Sequence, residues 1–123
     1  MKTILLAEDS PTTRSLVVST LEQLGDLEVV EASSGFEALK TLPRHKFDII
    51  ITDINMPDIN GFELLNFVKH NQVYQHIPLI IITSEVSERD REKGKSLGAD
   101  AYLAKPVDPE ELQNVVRQYL GRH

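Results

Sequence analysis

Five short apolar runs punctuate the chain: Thr3–Ala7, Glu28–Ala32, Phe47–Thr52, Leu79–Thr83 and Ala101–Ala104. Ile4-Leu5-Leu6-Ala7, Ile49-Ile50-Ile51 and Leu79-Ile80-Ile81-Ile82 are apolar without alternation, as strands covered on both faces are. Pro78 precedes the fourth run, where a strand tolerates a missing donor. The segments between them predict helices. Ser10-Pro11 opens the first, Leu16, Val17, Leu21 and Leu24 line it, and Gly25 stops it. Ser34 opens the second, Ala38, Leu39 and Leu42 follow, and Pro43 ends it. Asn60-Gly61 leads the third, with Phe62, Leu65 and Val68 at helical spacing. In the last, Asp108 caps, Pro109 follows, Glu111 completes an Asp-x-x-Glu capping box, and Leu112, Val115, Val116 and Tyr119 form the stripe.

The fourth helix, roughly Ser87–Leu97, differs. From Ser87 to Ser96 it carries no apolar residue, and Gly94 lies inside it, so it should be among the least stable elements. Either it is a solvated face or it is a surface that shifts when something nearby changes. Strands alternating with helices in this way predict a parallel sheet with right-handed crossovers and helices on both faces.

Composition narrows the functional classes. With 123 residues, 41% hydrophobic and 26% charged, the chain has the balance of one globular domain, 1–123, with no attached output domain expected. It contains no cysteine, which excludes disulfides, thiolate metal sites and a cysteine nucleophile. A net charge of −6 disfavours nucleic acid and anionic membranes as partners. No run is long enough for a membrane helix, and the N-terminus meets acids too early for a signal peptide, so a cytoplasmic location is expected. His45, His70, His76 and His123 lack ligand spacing and read as surface residues. Gly94-Lys95-Ser96 resembles the end of a P-loop, but Arg89 stands where that motif needs glycine.

In an open α/β sheet, ligands bind beyond the carboxyl ends of the strands. Those ends carry Glu8 and Asp9, then Asp53, then Thr83 and Ser84, then Lys105. Singly, Asp9 reads as a helix cap, Thr83 as a β-branched strand residue and Lys105 as a surface lysine. Capping does not account for Asp53 at the end of a buried isoleucine run beside two other carboxylates. Three carboxylates on one rim repel, so either one is protonated or a cation sits among them. Oxygen donors with many positions left to water or substrate favour Mg²⁺, with Mn²⁺ as the alternative, handling a phosphate. Lys105 and the Thr83 hydroxyl would then meet phosphoryl oxygens, and the set suggests phosphoryl transfer to a carboxylate.

Glu8-Asp9, Asp53 within Asp53-Ile54-Asn55-Met56-Pro57-Asp58-Ile59-Asn60-Gly61, Thr83-Ser84 and Lys105-Pro106 occur in this order and at these separations. Over essentially its whole length the chain resembles a response-regulator receiver domain of the CheY-like family, nearest in pattern to the single-domain chemotaxis receivers. The resemblance implies a flavodoxin-like (βα)5 fold, a three-layer α/β/α arrangement with strand order 2-1-3-4-5; the family is itself a standard example of that order. It implies that Asp53 accepts a phosphoryl group from a sensor histidine kinase or a histidine phosphotransfer protein. Asp9, Asp53 and the backbone carbonyl of Asn55 would bind Mg²⁺, with Glu8 acting through a water. Thr83 and Lys105 would hold the phosphoryl oxygens, Lys105-Pro106 would be cis, and Tyr102 would be the switch aromatic, with small Ser84 leaving it space. Asn55 and Glu85 would tune the lifetime of the phosphoryl group by positioning water, ahead of loss by autodephosphorylation.

Three carboxylates, Lys105 and a divalent cation cancel in charge. Acylating Asp53 exchanges one negative charge for about two, so the site pulls harder on Thr83 and Lys105. As the resemblance implies, Thr83 would then move, Tyr102 would turn inward, and the fourth helix would repack. A downstream protein would read the face formed by the fourth helix, fifth strand and fifth helix. The chain is expected to be monomeric, with a phosphorylation-dependent dimer as the alternative. A phosphorelay shuttle, a phosphate sink or a fragment of a longer regulator carries the same signature. A phosphohydrolase of the haloacid-dehalogenase type is the rival from another class. It would need its nucleophile on the first strand and an acid two residues later, where this chain has Asn55.

Overall fold

The three unbroken apolar runs become the interior of one sheet. In the computed structural model, which describes residues 1–84 and 87–121, five strands pair in parallel: β1 (Lys2–Ala7), β2 (Leu27–Ala32), β3 (Ile49–Thr52), β4 (Leu79–Thr83) and β5 (Ala101–Ala104). Their order is β2-β1-β3-β4-β5, the order that the resemblance to CheY-like receivers implies. Every residue of β3 and β4 is buried, whereas edge strands β2 and β5 are largely half-exposed. Central strands need apolar side chains on both faces because helices cover both.

The helices are α1 (Pro11–Glu22), α2 (Gly35–Thr41), α3 (Gly61–Lys69), α4 (Glu88–Ser96) and α5 (Pro109–Leu120). Alternation along each strand divides the core. Ile4, Leu6, Ile49, Ile51 and Ile80 face Val17 and Leu21 of α1 and Leu112 and Val116 of α5. Leu5, Ala7, Ile50 and Ile81 face Ala38 of α2 and Leu64, Leu65 and Val68 of α3. No helix of the described residues is long and apolar enough to cross a membrane.

Several local expectations need correction. Leu16, placed on the buried stripe of α1, is 41% exposed, and Thr20 is buried there instead. Strand β3 begins at Ile49 rather than Phe47: Asp48 N still donates to Thr3 O (2.8 Å), but Thr3 N donates to the Asp48 carboxylate (2.8 Å) instead of to a backbone carbonyl. Pro43 does not mark the end of helical backbone: α2 stops at Thr41, and Pro43 lies in a 3₁₀ turn, Leu42–Arg44, whose first residues need no donor. The reciprocal capping box belongs to α3, where Asn60 Oδ1 accepts from Glu63 N (2.9 Å) and Glu63 Oε1 accepts from Asn60 N (3.1 Å). At α5, Asp108 Oδ1 accepts from Glu110 N (3.1 Å), not from Glu111.

Helix α4 is buried only at Gly94, in keeping with its composition. Its seat is backbone against side chain: a Cβ at position 94 would meet Ile81 Cδ1 at 3.2 Å and Tyr102 Cδ2 at 3.4 Å. Two cationic arms flank that seat. Arg91 lies 5.0 Å from the Tyr102 ring centroid and Lys93 lies 4.7 Å from that of Phe62 on α3. Cation–π contacts therefore do part of the work that aliphatic burial does in the other helices.

Candidate functional site

Parallel strands end on a common edge, and the ladder continues one residue past three of them. Glu8 N donates to Ala32 O (3.0 Å), Asp53 N to Ala7 O (3.1 Å) and Lys105 N to Thr83 O (2.8 Å). The residue after each strand is thus held by the sheet itself. Glu8, Asp53 and Thr83 are buried, Lys105 is half-buried, and Asp9 is exposed at the rim.

The carboxylates of Glu8, Asp9 and Asp53 converge, each offering an oxygen within 4.8 Å of the others. Lys105 Nζ lies 2.7 Å from Glu8 Oε1 and 2.9 Å from Asp53 Oδ2, joining two of the acids. Glu8 Oε2 accepts from Ser10 N (3.0 Å), and Asp53 Oδ1 accepts from Ile54 N (2.7 Å). Burial pushes the Glu8 carboxyl above its ordinary range, against the pull of Lys105. For Lys105, burial acts to lower the ammonium, but Glu8 and Asp53 together outweigh it and the net direction is up.

A hard divalent cation fits this donor set. All the donors are carboxylate oxygens, and buried Glu8 Oε1 receives no hydrogen bond of proper geometry despite its proximity to Lys105. One ammonium against three carboxylates leaves negative charge that a cation would offset.

Asn55, two residues after Asp53, is exposed on the loop between β3 and α3. Tyr102 is half-buried on β5, where it pairs with Ile81 two residues before Thr83. Ser84 is exposed, and the Lys105–Pro106 peptide is cis. His45, His70 and His76 are exposed. Glu85 and His123 lie outside the described residues.

Three further residues that shape the site are not legible from the sequence. Gly61 is one: a Cβ there would strike the Asp53 carbonyl oxygen and lie 2.8 Å from Ile54 Cα. The loop closes over that gap with Gly61 N donating to Ile54 O (2.8 Å). Asp58 is another, its carboxylate accepting from Gly35 N (3.2 Å), Phe36 N (3.1 Å) and Ile59 N (2.6 Å) and so tying the loop to the start of α2. Arg14 donates to Glu8 O (2.8 Å) and Glu31 Oε1 (3.2 Å), bracing the acidic end of β1. Their signals are a glycine after a cap residue, an acid in a loop and one cation on α1, features that loops and helices carry far from any site as well.

Acids, a lysine and a hydroxyl gathered at the carboxyl edge of a 2-1-3-4-5 sheet are the arrangement of a signal-receiver module. Residues 4–117 match the response regulator receiver domain family, and the chain belongs to it, as a receiver domain of two-component systems. It is 36% identical over 119 residues to response regulator Rre1 of Synechocystis, covering 97% of this chain and 52% of that one. The chain thus spans about half the length of that relative. It is likewise similar to the chemotaxis protein CheY4 of Vibrio cholerae (36% identity, TM-score 0.89, covering 97% of this chain and 98% of that one). The receiver domain of sensor histidine kinase PA1611 from Pseudomonas aeruginosa, solved with magnesium coordinated in its active-site cleft, also superposes (28% identity, TM-score 0.88, 98% of both chains).

Proposed function

We propose that the chain is a phosphorylation-driven switch whose acceptor is Asp53. Its phosphoryl group comes from a phosphohistidine of a histidine kinase or phosphotransfer protein. A carboxylate oxygen of Asp53 attacks phosphorus and the phosphorus–nitrogen bond breaks. The electron pair goes to the imidazole, which takes a proton from solvent. The observation that carries this reading is the bridge from Lys105 Nζ to both Glu8 Oε1 (2.7 Å) and Asp53 Oδ2 (2.9 Å) beside the acidic cluster.

Asp9, Asp53 and the Asn55 carbonyl would hold Mg²⁺, with Glu8 acting through a water; when bound, the ion offsets charge on the carboxylates and phosphoryl oxygens. Lys105 steadies the acceptor carboxylate and then the phosphoryl oxygens, and the Thr83 hydroxyl donates to another of them. Loss of the group is attack by water on phosphorus, which breaks the acyl phosphate and restores the Asp53 carboxylate. Asn55 and Glu85 position that water. Phosphorylation draws Thr83 toward the phosphoryl group and Tyr102 inward, shifting α4 between two states; a differential of a few kcal/mol suffices.

The output is a cytoplasmic protein that reads the α4–β5–α5 face, and the chain has no activity on external substrates. Incubation with acetyl phosphate and Mg²⁺ tests the reading. Native chain should gain one acid-stable, base-labile phosphoryl group, and Asp53→Asn should gain none. Labelling that survives Asp53→Asn, or proceeds equally in excess chelator, would overturn it.

A further inference from the structure

At the opposite pole of the sheet, a cavity of about 340 Å³ opens where the chain enters β3 and β4. Its floor is apolar and aromatic: Phe47 and Ile77 are buried and Tyr74 is half-buried. Val73 at its lip is 67% exposed, an aliphatic side chain presented to water beside that floor. The rim is cationic and polar, made by exposed His45, Lys46 and His76.

Asp48 is the acid in the lining, and its carboxylate is already engaged. Oδ2 accepts from Thr3 N (2.8 Å), and Oδ1 lies 3.9 Å from Lys2 Nζ. Helix C-termini attract cations, which accounts for Lys40 and Arg44 at the ends of α2 and its 3₁₀ turn. Lys46 and His76 lie in irregular segments, where no helix dipole calls for them. Among the described residues, the three acid or histidine side chains that converge closely enough to share one ion are Glu8, Asp9 and Asp53, none of them in this lining.

We propose that this cavity binds a small aromatic carboxylate. The ring lies against Phe47 and Tyr74, and the carboxylate accepts from Lys46 and from the imidazoles of His45 and His76. Aromatic rings pack well edge-to-face or offset on such a floor, and a carboxylate makes its strongest hydrogen bonds to cationic donors. The cavity lies near the small end of ligand pockets, which span roughly 300–1,000 Å³. With one permanent cation it suits a single negative charge better than a phosphate dianion.

The test is an NMR titration of the ¹⁵N-labelled chain with 2-naphthoate and, in parallel, with the neutral 2-naphthalenemethanol. Saturable shifts should centre on the amides of Phe47, Tyr74 and Ile77. Binding should weaken about two- to fivefold for the alcohol and for Lys46→Gln. Val73→Glu, which sets a negative charge at the lip, should weaken naphthoate more than the alcohol. Both substitutions are at exposed positions and should leave labelling of Asp53 by acetyl phosphate unchanged, so this outcome is independent of the chemistry at the acidic rim. No saturation by about 10 mM, equal affinity for acid and alcohol, or shifts centred on Asp53 would overturn the proposal.

Discussion

Gly94 brings the backbone of α4 against the ring of Tyr102, so closely that a Cβ at position 94 would lie 3.4 Å from Tyr102 Cδ2 and 3.2 Å from Ile81 Cδ1. A glycine that looks like a weakness in a helix is here the point of attachment. Alanine in a helix interior gains about 1 kcal/mol over glycine. At position 94 that gain is offset by a displacement of a few tenths of an ångström in Ile81 and Tyr102. Gly94→Ala should therefore change unfolding free energy by less than about 1 kcal/mol, and Gly94→Leu should cost about 2 kcal/mol or more by lifting α4. Urea unfolding of both variants checks the pair. A Leu variant as stable as the Ala variant would show that α4 does not rest on this contact.

Arg91 sits over Tyr102 at 5.0 Å on one side of that seat. Exposed cation–π contacts contribute about 0.5–1 kcal/mol. A double-mutant cycle with Arg91→Gln and Tyr102→Leu should show a coupling energy of about that size. Strict additivity would mean that the ring and the guanidinium are neighbours without energetic consequence. The cycle can be run on the unphosphorylated chain, so its result does not depend on the switching mechanism.

At the other end of the acceptor loop, Gly61 faces backbone rather than flexible side chains. The atoms a Cβ would meet are the Asp53 carbonyl, its carbon at 2.9 Å and Ile54 Cα at 2.8 Å, and none of these can yield without moving the loop. Gly61→Ala should cost about 2–3 kcal/mol in urea unfolding. It should also slow labelling of Asp53 by acetyl phosphate, because the displaced atoms belong to the acceptor itself. A stable Gly61→Ala chain with native labelling would refute the close approach.

The contrast between these positions shows what a sequence exposes. Ile49-Ile50-Ile51 and Leu79-Ile80-Ile81-Ile82 announce central strands because only residues covered on both faces can dispense with polar alternation. Once those strands are parallel, Glu8, Asp53, Thr83 and Lys105 must share an edge, whatever the loops do. The seat of α4 was not legible, since Arg91 and Lys93 find Tyr102 and Phe62 only after β5 and α3 are in place. The same holds for Asp58, whose partners at Gly35 and Phe36 lie 23 and 22 residues earlier and are backbone N–H groups without a side-chain signature. Leu16 misled for the opposite reason: it has the right spacing on α1, but the strip of sheet beneath that helix is filled by Val17 and Leu21.

The link from Asp58 to α2 carries a pH signature. Its carboxyl is held below the ordinary 3.8, first by the Ile59 N–H and also by that of Phe36. A carboxyl with a depressed folded-state pKa contributes stability that is fully present above its unfolded value. That contribution is lost as pH falls through the folded one. Asp58→Ala should therefore be less stable than the native chain at neutral pH. The gap should persist down to about pH 4 and narrow below 3.8 as the native carboxylate takes its proton. Urea midpoints of both proteins across that range isolate the effect, because every other acid titrates in both. A gap that stays constant to pH 2, or that widens on acidification, would show that the anchoring at Gly35 and Phe36 does not depend on the charge of Asp58.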